Sequence, residues 1–170
     1  PKGSCNLVLG SGGVVGQHLA ESKKVDMITF TGSTEVGQSI AKASVGNLKK
    51  IGLELGGKSP NVIFADADFE GAVEWAMIGI FFNQGEVCSA GSRIIIEESI
   101  KDKFVARLKE RAENITIGNP LNNPDMGPLV SESHMNKVLD YIDKGKKEGA
   151  TLVCGGYRYT EGECGKGYYV

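Results

Sequence analysis

Cys88 sits in the segment Asn83-Gln84-Gly85-Glu86-Val87-Cys88-Ser89-Ala90-Gly91, where small and polar residues follow an apolar stretch. A turn of this kind can expose a thiol beside unpaired backbone N–H groups, the surroundings of a nucleophilic cysteine. The same composition also suits an inert thiol packed in a core. Glu54 lies between Leu53 and Leu55, immediately before Gly56-Gly57. A carboxylate partly withdrawn from water there would serve as a general base. Alternation alone reads it as a strand residue on a solvated face. Gly10-x-Gly12-x-x-x-Gly16 follows an apolar stretch and opens a helical one. Exposed helix N–H groups in that position attract phosphate, yet the spacing departs from Gly-x-Gly-x-x-Gly. No Asp or Glu ends the next strand in the ribose-binding position, so a nucleotide contact and a plain tight turn both stand. Gly52-x-x-x-x-Gly57-Lys58-Ser59 has the spacing of a phosphate-binding P-loop. It is rejected, because its supposed loop alternates like a strand and Pro60 with Val62-Ile63-Phe64 follows where a helix should begin. Neither His18 nor His134 lies in an evident base motif. A Cys-dependent hydrolase pairing one of them with Cys88 stays open, since proximity in space is not written in a sequence.

These residues need elements to hold them. Asn6–Leu9 reads as a strand entering the Gly-rich turn, and Val14–Ser22 as a helix. Asp26–Phe30 is the next strand, broken by Thr31-Gly32-Ser33-Thr34, whose hydroxyls suit a helix N-cap. Val36, Ile40, Ala43 and Ser44 then keep helical spacing, and Lys50–Leu55 returns to a strand. After Gly56-Gly57-Lys58-Ser59-Pro60 the alternation resumes. Asn61–Phe64 is a strand, and Asp68 caps a helix with the apolar stripe Ala72, Val73, Ala76, Met77 and Ile80. Arg93–Glu97 is a β-branched strand, and Ile100, Phe104, Leu108 and Ala112 mark a helix. Asn114–Pro128 is a polar connection. Met135, Val138, Leu139 and Ile142 mark the last helix, Thr151–Cys154 reads as a strand, and Gly155–Gly167 as surface turns. Strands alternating with helices at these lengths predict an α/β fold with mainly parallel sheets. The Gly-rich junction at Gly56-Gly57 is a plausible domain boundary.

Composition narrows the function classes. With 170 residues, 41% hydrophobic and 24% charged, the chain is an ordinary folding sequence. It holds 24 Gly, about twice the usual share, without the Gly-x-y period of collagen. A formal charge of -2 argues against a polybasic nucleic-acid surface. No apolar run approaches the roughly 20 residues that span a bilayer. Cys5, Cys88, Cys154 and Cys164 lie far apart without a Cys-x-x-Cys pair, and only two His are present. No metal site is therefore expected, and free thiols in a reducing cytoplasm are the simpler expectation. The chain opens at Pro1 and closes on Tyr168-Tyr169-Val170, inside strand-like patterns, so a portion of a longer protein is expected.

Four blocks together resemble the aldehyde dehydrogenase superfamily, in its non-phosphorylating branch. They are the Gly10–Gly16 turn, Phe30-Thr31-Gly32-Ser33-Thr34-Glu35-Val36-Gly37, Leu53-Glu54-Leu55-Gly56-Gly57-Lys58-Ser59-Pro60, and Asn83-Gln84-Gly85-Glu86-Val87-Cys88-Ser89-Ala90. The last three are specific in order and spacing. The resemblance runs from Pro1 to Val170, the middle third of such a protein, and its tone over Phe82–Ile100 is similar to betaine aldehyde dehydrogenases.

The resemblance implies parts of two open, mostly parallel-sheet domains. Residues 1–56 would be the C-terminal part of a Rossmann-like cofactor domain, and residues 57–170 the N-terminal part of a catalytic domain. In such enzymes a thiolate adds to an aldehyde, the thiohemiacetal passes hydride to the nicotinamide of NAD or NADP, and the thioester is hydrolysed. Carried over, Cys88 is the nucleophile, its amide is half of the oxyanion hole, and Glu54 activates the hydrolytic water. Ser33 would contact the cofactor pyrophosphate, with Gly32 permitting close approach. Gly10 and Val36 would lie along the adenine end, and Leu55 and Gly56 near the nicotinamide. The implied partners are a small aldehyde and further copies in a homodimer or homotetramer, with no nucleic acid and no membrane. Glu86 stands where many members have Gln. The family's oxyanion Asn and ribose-binding Lys would precede Pro1, and its nicotinamide-ribose Glu would follow Val170. An inactive portion of such an enzyme is therefore a second reading of these 170 residues.

Overall fold

Met27–Gly32 (β1) and Lys50–Leu55 (β2) lie parallel, in register from Met27 opposite Lys50 to Gly32 opposite Leu55. Helix Thr34–Ser44 (α2) connects them. The computed structural model describes all 170 residues, which divide into two units, Pro1–Gly57 and Lys58–Val170. In the first unit, β-branched Ile28, Thr29 and Thr31 suit the pleat of β1. Ser33 starts α2 as the sequence predicts: its Oγ accepts the Val36 amide at 3.3 Å. The helix comes close to the sheet at Gly37, where an added Cβ would meet Leu55 Cδ2 at 2.6 Å.

The N-terminal part differs from expectation. Val14–Ser22 is not one α-helix. A wide π turn over Gly12–Gly16 precedes Gln17–Glu21 (α1). Gly12, Gly13 and Gly16 each weaken a regular helix by about 1 kcal/mol, which leaves the first turn free to widen. The end of α1 is held by Lys49. Its ammonium donates to the carbonyls of Ala20 at 2.6 Å, Ser22 at 2.7 Å and Leu19 at 3.4 Å, a cation at the negative end of a helix. Lys49 is buried. Asn6–Leu9 forms no strand, because β1 and β2 pair only with each other. Without a neighbour to take up its amides, an extended segment stays solvated, and Leu7 is 85% exposed.

The second unit repeats the scheme. Pro60–Ile63 (β3) and Arg93–Ile96 (β4) are parallel, in register from Pro60 opposite Arg93 to Ile63 opposite Ile96. Phe69–Phe81 (α3) lies between them in sequence. Asp68 caps α3 by accepting the Gly71 amide at 3.4 Å. Helix Lys101–Glu113 (α4) follows β4. The core joins Ile63, Val73, Ala76 and Phe104, with Phe69, Ile94, Ile96, Ile100 and Leu108 around them. The Phe69 and Phe104 rings meet edge to face, with centroids 5.7 Å apart. Outside the core, Arg107 and Arg111 of α4 pair with Glu70 and Glu74 of α3.

The polar connection after α4 is pinned by Asp125, whose carboxylate accepts the Thr116 amide at 2.8 Å and hydroxyl at 2.6 Å. Those bonds hold the Asp125 carboxyl below its usual range. Helix Glu132–Lys147 (α5) is capped by Ser131, whose Oγ accepts the His134 amide at 3.2 Å. Thr151–Cys154 is not a strand, for the same reason as Asn6–Leu9. The only pairing near the C-terminus is an antiparallel bridge between Tyr159 and Tyr169. No helix is long and apolar enough to cross a membrane.

Candidate active site

In the first unit, β1 and β2 end together, so the residues expected at a cofactor gather at one sheet edge. Gly32 stands opposite Leu55 and Thr31 opposite Glu54. Ser33 turns the chain from β1 into α2, and its hydroxyl ties down the Val36 amide. Gly32, Ser33, Val36, Glu54, Leu55 and Gly56 therefore cluster at the carboxyl ends of parallel strands beside a helix N-terminus, where open α/β sheets take their ligands. Exposed N–H groups at a helix N-terminus suit an anion such as a phosphate, and Gly32 has no Cβ at this edge. An added Cβ at Gly32 would overlap the Phe30 ring. Gly10 lies apart in the chain, at the entry to the Gly12–Gly16 turn, with Val15 occupying the space of any Cβ on it. Glu54 is exposed.

In the second unit, α3 ends at Phe81, and the next residues reverse the chain by an uncommon route. Asn83 (φ 49°), Gln84 (φ 56°) and Gly85 (φ 77°) are successively left-handed. Two of these are not glycine, at a cost on the order of 1 kcal/mol each. Gly85 is required sterically as well, because a Cβ there would press on the Ile80 carbonyl at 2.9 Å. Local bonds offset part of the cost: the Glu86 amide donates to the Asn83 carbonyl at 2.9 Å, and Asn83 Nδ2 donates to the Glu86 carbonyl at 3.2 Å. The loop then turns again over Val87–Ala90, with the Ala90 amide donating to the Val87 carbonyl at 3.0 Å. Cys88 occupies that turn, exposed to solvent, and its own amide donates to no backbone carbonyl. The Gly91 amide anchors the loop's far end to the Gly79 carbonyl of α3 at 2.9 Å. A reachable thiol beside an unused N–H is the arrangement needed to add a nucleophile to a carbonyl and bind the resulting oxyanion.

Two contacts across the second unit were not legible in the sequence. Gln84 Nε2 donates to the Pro128 carbonyl at 3.3 Å, forty-four residues away. His134 Nε2 lies 2.8 Å from Glu86 Oε1. Nothing in local periodicity signals either contact, because both depend on how α5 packs. The histidine is thus engaged by Glu86, and no hydrogen bond joins it to the Cys88 sulfur. Glu54 belongs to the first unit and Cys88 to the second.

The model of the aldehyde dehydrogenase family matches residues 1–170. The chain belongs to the aldehyde dehydrogenase family. Betaine aldehyde dehydrogenase of Bacillus subtilis (strain 168) is 49% identical over 99% of this chain and 35% of its own length. Cytosolic aldehyde dehydrogenase 1 of Mus musculus is 48% identical over the whole chain and 34% of its own length. Among solved structures, a betaine aldehyde dehydrogenase double mutant of Staphylococcus aureus in complex with NAD+ superposes with a TM-score of 0.96 at 47% identity, over 99% of this chain and 34% of that one. The chain thus spans about one third of the length of these family members. The α/β fold with parallel strands and the relation to betaine aldehyde dehydrogenases agree with the sequence reading.

Proposed function

We propose that this chain carries the nucleophile, the general base and part of the cofactor contact of an NAD(P)-dependent aldehyde dehydrogenase. The observation that carries the reading is the exposed Cys88 thiol with its unused amide, on a loop held in three consecutive left-handed residues. Strained backbone of this kind persists where a reacting group must be presented.

Cys88 Sγ attacks the aldehyde carbon, and the Cys88 N–H donates to the oxygen as it gains charge. Such a donor contributes a few kcal/mol in the transition state. Bound NAD(P)+ is the hydride acceptor. Ser33 would hold its pyrophosphate, with Gly32 permitting close approach, Gly10 and Val36 would lie along the adenine end, and Leu55 and Gly56 would border the nicotinamide. Glu54 takes a proton from the water that cleaves the thioester, returning the thiol and releasing the acid. NAD is favoured as cofactor because the superposed staphylococcal relatives contain NAD+. Betaine aldehyde is the proposed substrate, from the relatives of that name in Bacillus subtilis and Staphylococcus aureus. The whole protein is proposed to be a cytoplasmic homodimer or homotetramer, residues 1–56 forming part of its cofactor domain and residues 57–170 part of its catalytic domain. The competing hydrolase reading loses its support from His134, which is bound to Glu86.

In the intact protein, Cys88→Ala should remove NADH production while leaving NAD affinity nearly unchanged, as read by absorbance and cofactor titration. Turnover within about tenfold of the parent, a barrier change of only about 1.4 kcal/mol, would refute the assignment.

A further inference from the structure

The Cys88 loop does not support itself. Its left-handed residues are compensated locally by Asn83 and Glu86 alone. Two of its polar side chains, those of Gln84 and Glu86, reach out of the loop to one place. Gln84 Nε2 bonds the Pro128 carbonyl, and Glu86 Oε1 takes His134 Nε2 at 2.8 Å. Pro128 and His134 bracket the entry to α5, and Ser131 fixes His134 in the first turn through its amide. Side chains of both Glu86 and His134 are about one-third exposed, so the contact is partly shielded from water. Gly127 belongs to the same support: a Cβ there would press on Gln84 Nε2 at 3.0 Å. Glu86 lies two residues before Cys88, so moving it moves the thiol.

We propose that His134 is a positioning residue for the nucleophile, holding Glu86 and with it the Cys88 turn against the start of α5. The proposal rests on Cys88 being the nucleophile. An imidazole with its proton on Nε2 donates to Glu86 whether or not the ring is charged, so the clamp does not require an imidazolium. Displacing a reacting atom by a fraction of an ångström lowers the rate and leaves the cofactor contacts made by other residues as they were.

The test uses the intact protein and two readouts: kcat with KM for NAD, and the iodoacetamide labelling rate of the Cys88 peptide, followed by mass because Cys5 is also exposed. His134→Ala and Glu86→Ala should each lower kcat and change the Cys88 labelling rate by about tenfold, the effect of losing one strong hydrogen bond, with KM for NAD within about twofold. The double variant should be no worse than either single one, the signature of residues acting as a pair. His134→Gln keeps an N–H donor and should recover most of the loss, which also guards against a variant that fails to fold. Labelling and kcat unchanged in His134→Ala, additive losses in the double variant, or no recovery in His134→Gln would each overturn the proposal. Turnover surviving in Cys88→Ala would instead overturn the functional reading, and the labelling rate, which needs no turnover, would still test the clamp.

Discussion

Glu54 and Cys88 have opposite local settings. Glu54 ends a regular strand, opposite Thr31 in an unbroken register, and alternation alone places it on the exposed side where the structure has it. Its proposed role requires no distortion, only a position at the sheet's carboxyl edge. Cys88 depends on distortion, since three left-handed residues precede it. The two should therefore fail differently. Glu54→Gln is isosteric and keeps the strand, so the intact enzyme should still form the thioester and pass hydride, then deacylate slowly. Rapid mixing with aldehyde and NAD should give a burst of NADH near one equivalent per active site and then a slow steady state. A first turnover slowed as much as the steady state would remove Glu54 from the hydrolytic step. Lys49 also acts locally, but for stability. Three carbonyls surround its ammonium, so it fastens α1 to the start of β2 rather than serving chemistry.

Helix α3 carries the second unit on two faces. Val73, Ala76 and Met77 are buried, the first two against Phe104 of α4 and Ile63 of β3. Glu70 and Glu74 extend toward Arg107 and Arg111, half-exposed pairs that water and salt screen, so they add little to stability. The apolar contacts therefore decide the packing of α4 on α3. Phe104 is fully buried, and Phe104→Ala should destabilise the unit by about 3–5 kcal/mol. Glu74→Gln should cost less than about 1 kcal/mol. Denaturant unfolding of the intact protein, followed by a probe in residues 58–170, checks both, and equal effects would mean that the ion pairs hold the helices together. Because the Cys88 loop hangs from the end of α3 and returns to Gly79, Phe104→Ala should also blunt thiol reactivity. The third face of α3 is different. Trp75 is 70% exposed and Ile78 42% exposed there, and Phe82, just past the helix end, is 70% exposed. Apolar side chains left exposed beside a buried face favour being covered.

At the scale of the whole molecule, the 170 residues expose more apolar surface than two small sheets can hide. Each sheet has two strands with open edges, and Leu7, Leu9, Trp75 and Phe82 face solvent. Unpaired edges and apolar patches invite association. The isolated 170-residue chain should therefore self-associate in sedimentation velocity, bind NAD no tighter than about millimolar, and oxidise no aldehyde measurably. A monomeric chain with micromolar NAD affinity in calorimetry would contradict this. The βαβ succession, the Ser33 and Asp68 caps, the helices 101–113 and 132–147 and the irregular loop over Gly85–Gly91 were all legible in the sequence. Each is set by local rules: periodicity, hydroxyl or carboxylate capping, and residue types at fixed spacing. The expected strands at Asn6–Leu9 and Thr151–Cys154 failed because a strand is defined by its neighbour, and apolar alternation carries no information about whether a neighbour is there. The left-handed run at Asn83-Gln84-Gly85, the capture of His134 by Glu86 and the burial of Lys49 against three carbonyls were decided only by tertiary structure. The last two are contacts between segments far apart in the chain, whose energy exists only after the helices have packed, and the first is a strained turn that such contacts, Gln84 to Pro128 among them, help to hold.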